Sequence, residues 1–177
     1  MRPSYLAAPA WPRIVVSRGV VLPPQNRRVH TPGVSGQSVW GLTPRQSIEA
    51  ECARRGKDAV VAGCMDLLAG GDADPDLVIA LGGPGAPRVV SGENKQYWLR
   101  VWGARGLMWA WDDAAVASVT AALGDDHWRV REMACKVIAR HRVGDALPAV
   151  AELRDDAVPR VRGAASRAVV LLTDTGA

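Results

Sequence analysis

Two sets of side chains in this sequence are of types that do chemistry: three histidines with three cysteines, and a series of tryptophans and arginines in the second half. His30, His127 and His141 pair with no glutamate at metal-ligand spacing, and no HExxH, G-x-S-x-G or phosphate-loop motif occurs. Cys52, Cys64 and Cys135 form no CxxC and leave an odd one over. They read as small apolar core residues in a reducing cytoplasm. Cys135 lies semi-exposed at most on its helix and has no base within helical reach. "GGPG" at 82–85 lacks the Lys and Ser/Thr of a phosphate loop and reads as a turn. The expectation is a protein with no catalytic residue, no metal and no cofactor.

The tryptophans and arginines point to binding. Arg129, Lys136 and Arg140 stand at i, i+7 and i+11, within about 40° of one another on a helix. Thirty-one residues earlier the matching positions are Trp98, Arg105 and Trp109, and thirty-one later they are Arg160, Arg167 and Leu171. Side by side, three such helices carry a Trp/Arg strip. These residue types dominate interface hot spots, and cation–aromatic stacking supports them. The candidate partner-binding residues are therefore Trp98, Arg105, Trp109, Arg129, Lys136, Arg140 and Arg160. The competing reading has the tryptophans covering a core edge and the charges solvated. Val101 and Met108 also fall on the supposed solvent side of the first helix. A helix apolar nearly all round wants a cover, from a partner or from the chain's own N-terminal tail through Trp40.

Helices must position these residues, and the sequence marks where they run. "LGDDHWRVREMACKVIAR" has a near-echo in "LRDDAVPRVRGAASRAVV". At an offset of 31, Leu99, Val130 and Val161 coincide, as do Arg100, Arg131 and Arg162, then Gly103, Ala134 and Ala165, then Leu107, Ile138 and Val169. Leu123 aligns with Leu153 at 30, the one-residue slip falling in a turn. A period of about 30 with two helices per period marks an α-solenoid, whose hairpins must stack to bury their faces. Val130, Met133, Ala134, Val137 and Ile138 make one apolar stripe, and His141 is in phase with it. Asp125 or Asp126, Asp155 or Asp156, and Asp145 are placed to cap helices. Upstream, Thr43 with Pro44 opens a helix ending near Gly56, and a second runs from about Asp58 to Gly70. "PDLVIALGGPGAPRVVSG" reads as two short helices split by a Gly/Pro turn.

The "L-x-D-D … V-R … A" pattern resembles a HEAT repeat of the short kind found in phycobilisome-lyase-like proteins. The resemblance covers about residues 97–172 closely and 43–92 more weakly. It implies an all-α superhelix, a HEAT-like α-solenoid of about four to five helical hairpins. It also implies a ladder engaging Asp125, Asp155 or Asp156 with Arg100, Arg131 and Arg162. A period of 31 is short beside the roughly 40 residues usual for HEAT repeats. HEAT-repeat hydroxylases need His–Glu pairs for iron, and these are absent. Arg131 and Arg162 are accordingly assigned to the ladder rather than to phosphate binding.

Residues 1–42 are rich in Pro, Gly, Ser and Arg without a sustained period, so they are expected to be a disordered basic tail ahead of a repeat domain at 43–174. The formal charge of +4 belongs to that tail. Residues 1–45 hold six Arg and no acid, whereas the rest holds 16 basic and 18 acidic residues, a net −2. That balance argues against nucleic acid as partner. No apolar run approaches the roughly 20 residues of a membrane span, and prolines break any secretory h-region. The abundance of Arg over Lys, 19 to 3, suits a GC-rich bacterial genome.

Together these point to a cytoplasmic, non-catalytic scaffold or adaptor that binds another protein through the Trp/Arg strip or the concave face. Two alternatives remain at this stage. One is a nucleic-acid-binding relative of HEAT-like alkylpurine DNA glycosylases, with Trp109 and Asp112 or Asp113 on the concave face. The other is a lyase-like helper of a modification enzyme.

Overall fold

Thr43 forms a full capping box: its hydroxyl accepts the Gln46 N–H at 3.3 Å while Gln46 Oε1 accepts the Thr43 N–H at 3.0 Å. In the computed structural model, which describes residues 41–72, 74–92 and 96–174, this cap opens α1 (Pro44–Arg55). Gly56, at φ 91°, turns the chain into α2 (Lys57–Leu68). Then come α3 (Pro75–Gly82), α4 (Ala86–Val90), α5 (Tyr97–Leu107), α6 (Val116–Ala121), α7 (Trp128–His141), α8 (Leu147–Glu152) and α9 (Pro159–Thr173). The described residues contain no strand. The helices stack as an α-solenoid: α2, α5, α7 and α9 lie in a row, each packed on the next, and short α6 and α8 pack on the long helix that follows them.

Along the apolar stripe of α7, Val130, Ala134, Val137 and Ile138 are at zero exposure, and Met133 is partly buried against them. A helix in mid-row is covered on more than one side, however. Cys135, read as a small core residue semi-exposed at most, is fully buried, and burial pushes its thiol up to about 12. Burial does the same to Cys64. All three cysteines are free.

The same geometry accounts for α5. Val101, read as solvent-facing, is buried, as is Trp102. α5 packs on α2, α3 and α7, so these helices supply cover that the sequence left to a partner or to the tail. Trp40 and residues 1–40 lie outside the described residues. Close approach here depends on missing side chains: a Cβ on Gly103 would sit 2.7 Å from the Cys64 carbonyl oxygen and 2.9 Å from Leu67 Cβ. On Gly82 it would stand 2.7 Å from the Trp102 indole. Gly82 thus lets that ring lie across the end of α3, and Gly83 takes the turn at φ 60°.

Capping differs from expectation: the N-cap of α7 is His127, whose imidazole accepts the Arg129 N–H at 3.3 Å, and that of α9 is Val158, which makes no side-chain cap bond, while Asp125 and Asp156 close the turns just ahead of these positions. Asp112 accepts the Ala114 N–H at 2.9 Å, Asp125 the His127 N–H at 2.7 Å and Asp156 the Val158 N–H at 2.7 Å. Asp145 makes no capping bond, because it lies inside the 3-10 turn that leads into α8 rather than ahead of it. Pro148 occupies the first turn of α8.

Candidate binding surface

The repeated arginines line up from hairpin to hairpin. Arg100, on α5, grips Asp125 with two bonds, Nε to Oδ2 at 2.7 Å and Nη2 to Oδ1 at 3.1 Å. Its Nη2 also reaches Asp126 at 2.6 Å. Arg131, on α7, repeats this on Asp156 with the same two distances, 2.7 and 3.1 Å, and its Nη1 donates to the Asp125 carbonyl at 2.8 Å. Arg162 donates to the Asp156 carbonyl at 2.8 Å in the same manner. Of the open pair, the structure uses Asp156 and leaves Asp155 exposed. The Arg131 guanidinium holds the Asp156 carboxyl below its ordinary value. Burial pushes the Asp125 carboxyl up, but Arg100 and the His127 N–H outweigh that and hold it low.

Across the same helices runs the strip of aromatic rings and cations. At its start, the Arg129 guanidinium carbon lies 4.4 Å from the Trp128 ring centroid, 5.3 Å from Trp98 and 6.0 Å from Tyr97. Arg160 follows, 5.4 Å from Trp128. Tyr97 and His127 stack at 3.4 Å. Glu132, largely buried, accepts Lys136 at 2.8 Å and Arg160 at 3.3 Å, so it ties α7 to α9. At the far end, Arg140 stacks 4.0 Å over Trp109, and Arg45 from α1 lies 5.5 Å from the same ring. Trp111 stacks on His141 at 4.2 Å, and His141 Nε2 meets the Leu107 carbonyl at 2.9 Å. His141 is thus a partly buried edge residue.

Six of the seven expected residues come together on this strip: Trp98, Trp109, Arg129, Lys136, Arg140 and Arg160. Arg105 does not. It turns inward, its Nη2 donating to the Leu81 carbonyl at the C-terminal end of α3, with its Nε buried and unpartnered. Desolvation lowers its pKa. The helix dipole of α3 favours a cation there. The sequence reading missed Trp128, Tyr97 and Glu132. Trp128 adjoins Arg129, and neighbours at i+1 do not share a helix face; their stacking arises at the helix start. Glu132, four residues before Lys136, was legible from the i, i+4 rule.

Between α7 and α9 lies a groove of about 450 Å³, lined by Met108, Lys136, Ala139, Arg140, Arg142, Ala164, Arg167 and Leu171. Arg142, the C-cap of α7, holds the left-handed conformation at φ 51° and places Nη1 3.4 Å from the Leu171 and Asp174 carbonyls. No group of three or more His, Cys, Asp or Glu is placed to hold a metal among the described residues.

Residues 93–170 match the family model for HEAT repeats. The match spans α5 to α9, the helices that carry both the ladder and the strip, and the all-helical packing is that of a HEAT-like α-solenoid. The matched region contains both copies of the echo in the sequence. No curated protein and no solved structure matches the chain. No helix among the described residues is long and apolar enough to cross a membrane.

Proposed function

We propose that this chain is a non-catalytic interaction module whose HEAT-like repeats bind another protein through the aromatic–cation strip of α5, α7 and α9. The observation that carries this reading is the alternation Trp98, Arg129, Trp128, Arg160 from one helix to the next, with Trp109 and Arg140 at the far end. Each stack contributes about 0.5–1 kcal/mol at an exposed site and more once a partner removes water. The rings also hold the arginines in place, so less side-chain entropy is lost on binding. HEAT repeats commonly serve as protein-interaction scaffolds, an argument from fold that the strip makes specific. Three free thiols, two of them buried with raised pKa, suit a reducing compartment, and we place the protein in the cytoplasm.

The test is affinity capture from the native cell, with the captured partner purified and titrated against wild-type protein and against Trp98→Ala with Arg129→Ala. An affinity at least tenfold weaker in the double variant, with its helical circular dichroism retained, is the expected outcome. An affinity equal to wild type removes the strip from the function. Binding of duplex DNA that falls steeply with salt would replace this reading with a nucleic-acid one.

A further inference from the structure

Arg140, Arg142, Arg167 and Lys136 surround the α7–α9 groove, and its lining includes no aspartate or glutamate. Lys136 already shares Glu132 with Arg160. Arg140 and Arg167 make no ion pair among the described residues, so their charge is uncompensated within the fold. The groove is not simply polar: Met108 forms part of its lining, and Leu171 on its edge is 40% exposed. Arg140 is held by its stack on Trp109, which leaves the edge N–H donors of the guanidinium unused. Arg142 is anchored to the end of α9, and that contact fixes the groove's far wall.

A cluster of preset cations beside apolar side chains is complementary to an anion that also carries an apolar group. Resting on the interaction-module reading above, we propose that this groove seats an acidic segment of the partner protein: a short stretch with at least two carboxylates flanking one aliphatic side chain. The carboxylates meet Arg140 and Arg167, and the aliphatic group packs on Met108 and Leu171. A carboxylate peptide fits better than nucleic acid for two reasons. Residues 46–177 carry 16 basic and 18 acidic side chains, too little positive field to hold a phosphate backbone. And about 450 Å³ takes a few side chains rather than a run of phosphates.

Fluorescence anisotropy on the full chain tests this with three probes: a labelled octapeptide alternating aspartate and leucine, its asparagine–leucine counterpart, and a labelled DNA duplex of twelve base pairs. The aspartate peptide is expected to bind saturably and at least tenfold more tightly than the asparagine peptide. Arg140→Glu with Arg167→Glu should weaken it at least tenfold, and Arg167→Glu alone, at an exposed side chain, should give part of that loss without altering the melting curve. The proposal is overturned if the aspartate peptide does not saturate, if the charge reversals leave its affinity unchanged, or if the duplex binds as well. Its failure is separable from that of the interaction module. A partner lost by Trp98→Ala with Arg129→Ala but retained by the charge reversals keeps the module and discards the groove; one indifferent to both sets discards both.

Discussion

Arg131 joins three groups that no other side chain would satisfy together: the Asp156 carboxylate and the carbonyls of Asp125 and Asp126. Asp156 is almost wholly enclosed, with 5% of its side chain exposed, so removing the guanidinium strands a charge away from water. Arg131→Ala should cost about 3 kcal/mol. Arg162→Ala, which loses only bonds to the carbonyls of Asp156 and Ala157, should cost about 1 kcal/mol. Urea unfolding of both variants measures the difference, and equal losses would contradict the ladder. The carboxyls also set an acid limit. Asp125 and Asp156 titrate below the ordinary value of 3.8 when folded, so the unfolded chain takes up protons first as pH falls. Their contribution is complete well above that value and is lost through and below it. His141, whose pKa is lowered first by desolvation from an ordinary 6.5, adds an earlier decline as pH drops past 6.5. Desolvation lowers His127 as well, so unfolding free energy against pH should fall in two stages, and His141→Gln should shrink the first without abolishing it.

Within single helices, the period-31 alignment made the ladder arginines, the α7 stripe and the strip on α7 legible, because all three follow from 3.6-residue geometry. What the wheel could not show was how many sides of a helix are covered. Val101 read as solvent-facing because one stripe was taken as the whole buried face, whereas a helix between two neighbours in a row is enclosed on several sides. Arg105 turns inward for a related reason: the side of α5 it occupies meets α3, a contact with no periodic signal. α5 also depends on an absence. Gly103 abuts backbone of α2 that cannot shift, so Gly103→Ala should destabilise by about 3 kcal/mol despite the better helix propensity of alanine. A melting temperature equal to wild type would show that α2 and α5 are less closely pressed than described.

Over the whole molecule, each hairpin depends on its immediate neighbours, so stability should vary along the row. Among the described helices α5 and α7 are flanked on both sides, whereas α9 packs on α7 and α8. Hydrogen exchange should be slowest in α5 and α7. Asp156→Asn, which weakens the rung between α7 and α9, should speed exchange in α9 with little change in α2; a uniform increase would indicate a single cooperative block. The charge distribution belongs to this scale too. It was readable from the sequence, since counting needs no coordinates, whereas the α7–α9 groove was not, since it joins residues of α7 and α9 to Met108.

The evenly repeated guanidinium–carboxylate grip has a metric consequence. It recurs at the α5–α7 and α7–α9 junctions, and packed helices of this kind stand about 8–10 Å apart. An extended ligand advances about 3.3 Å per residue. Under the proposed binding role, an extended segment of a partner laid crosswise from α7 to α9 would advance about three residues between Arg129 and Arg160.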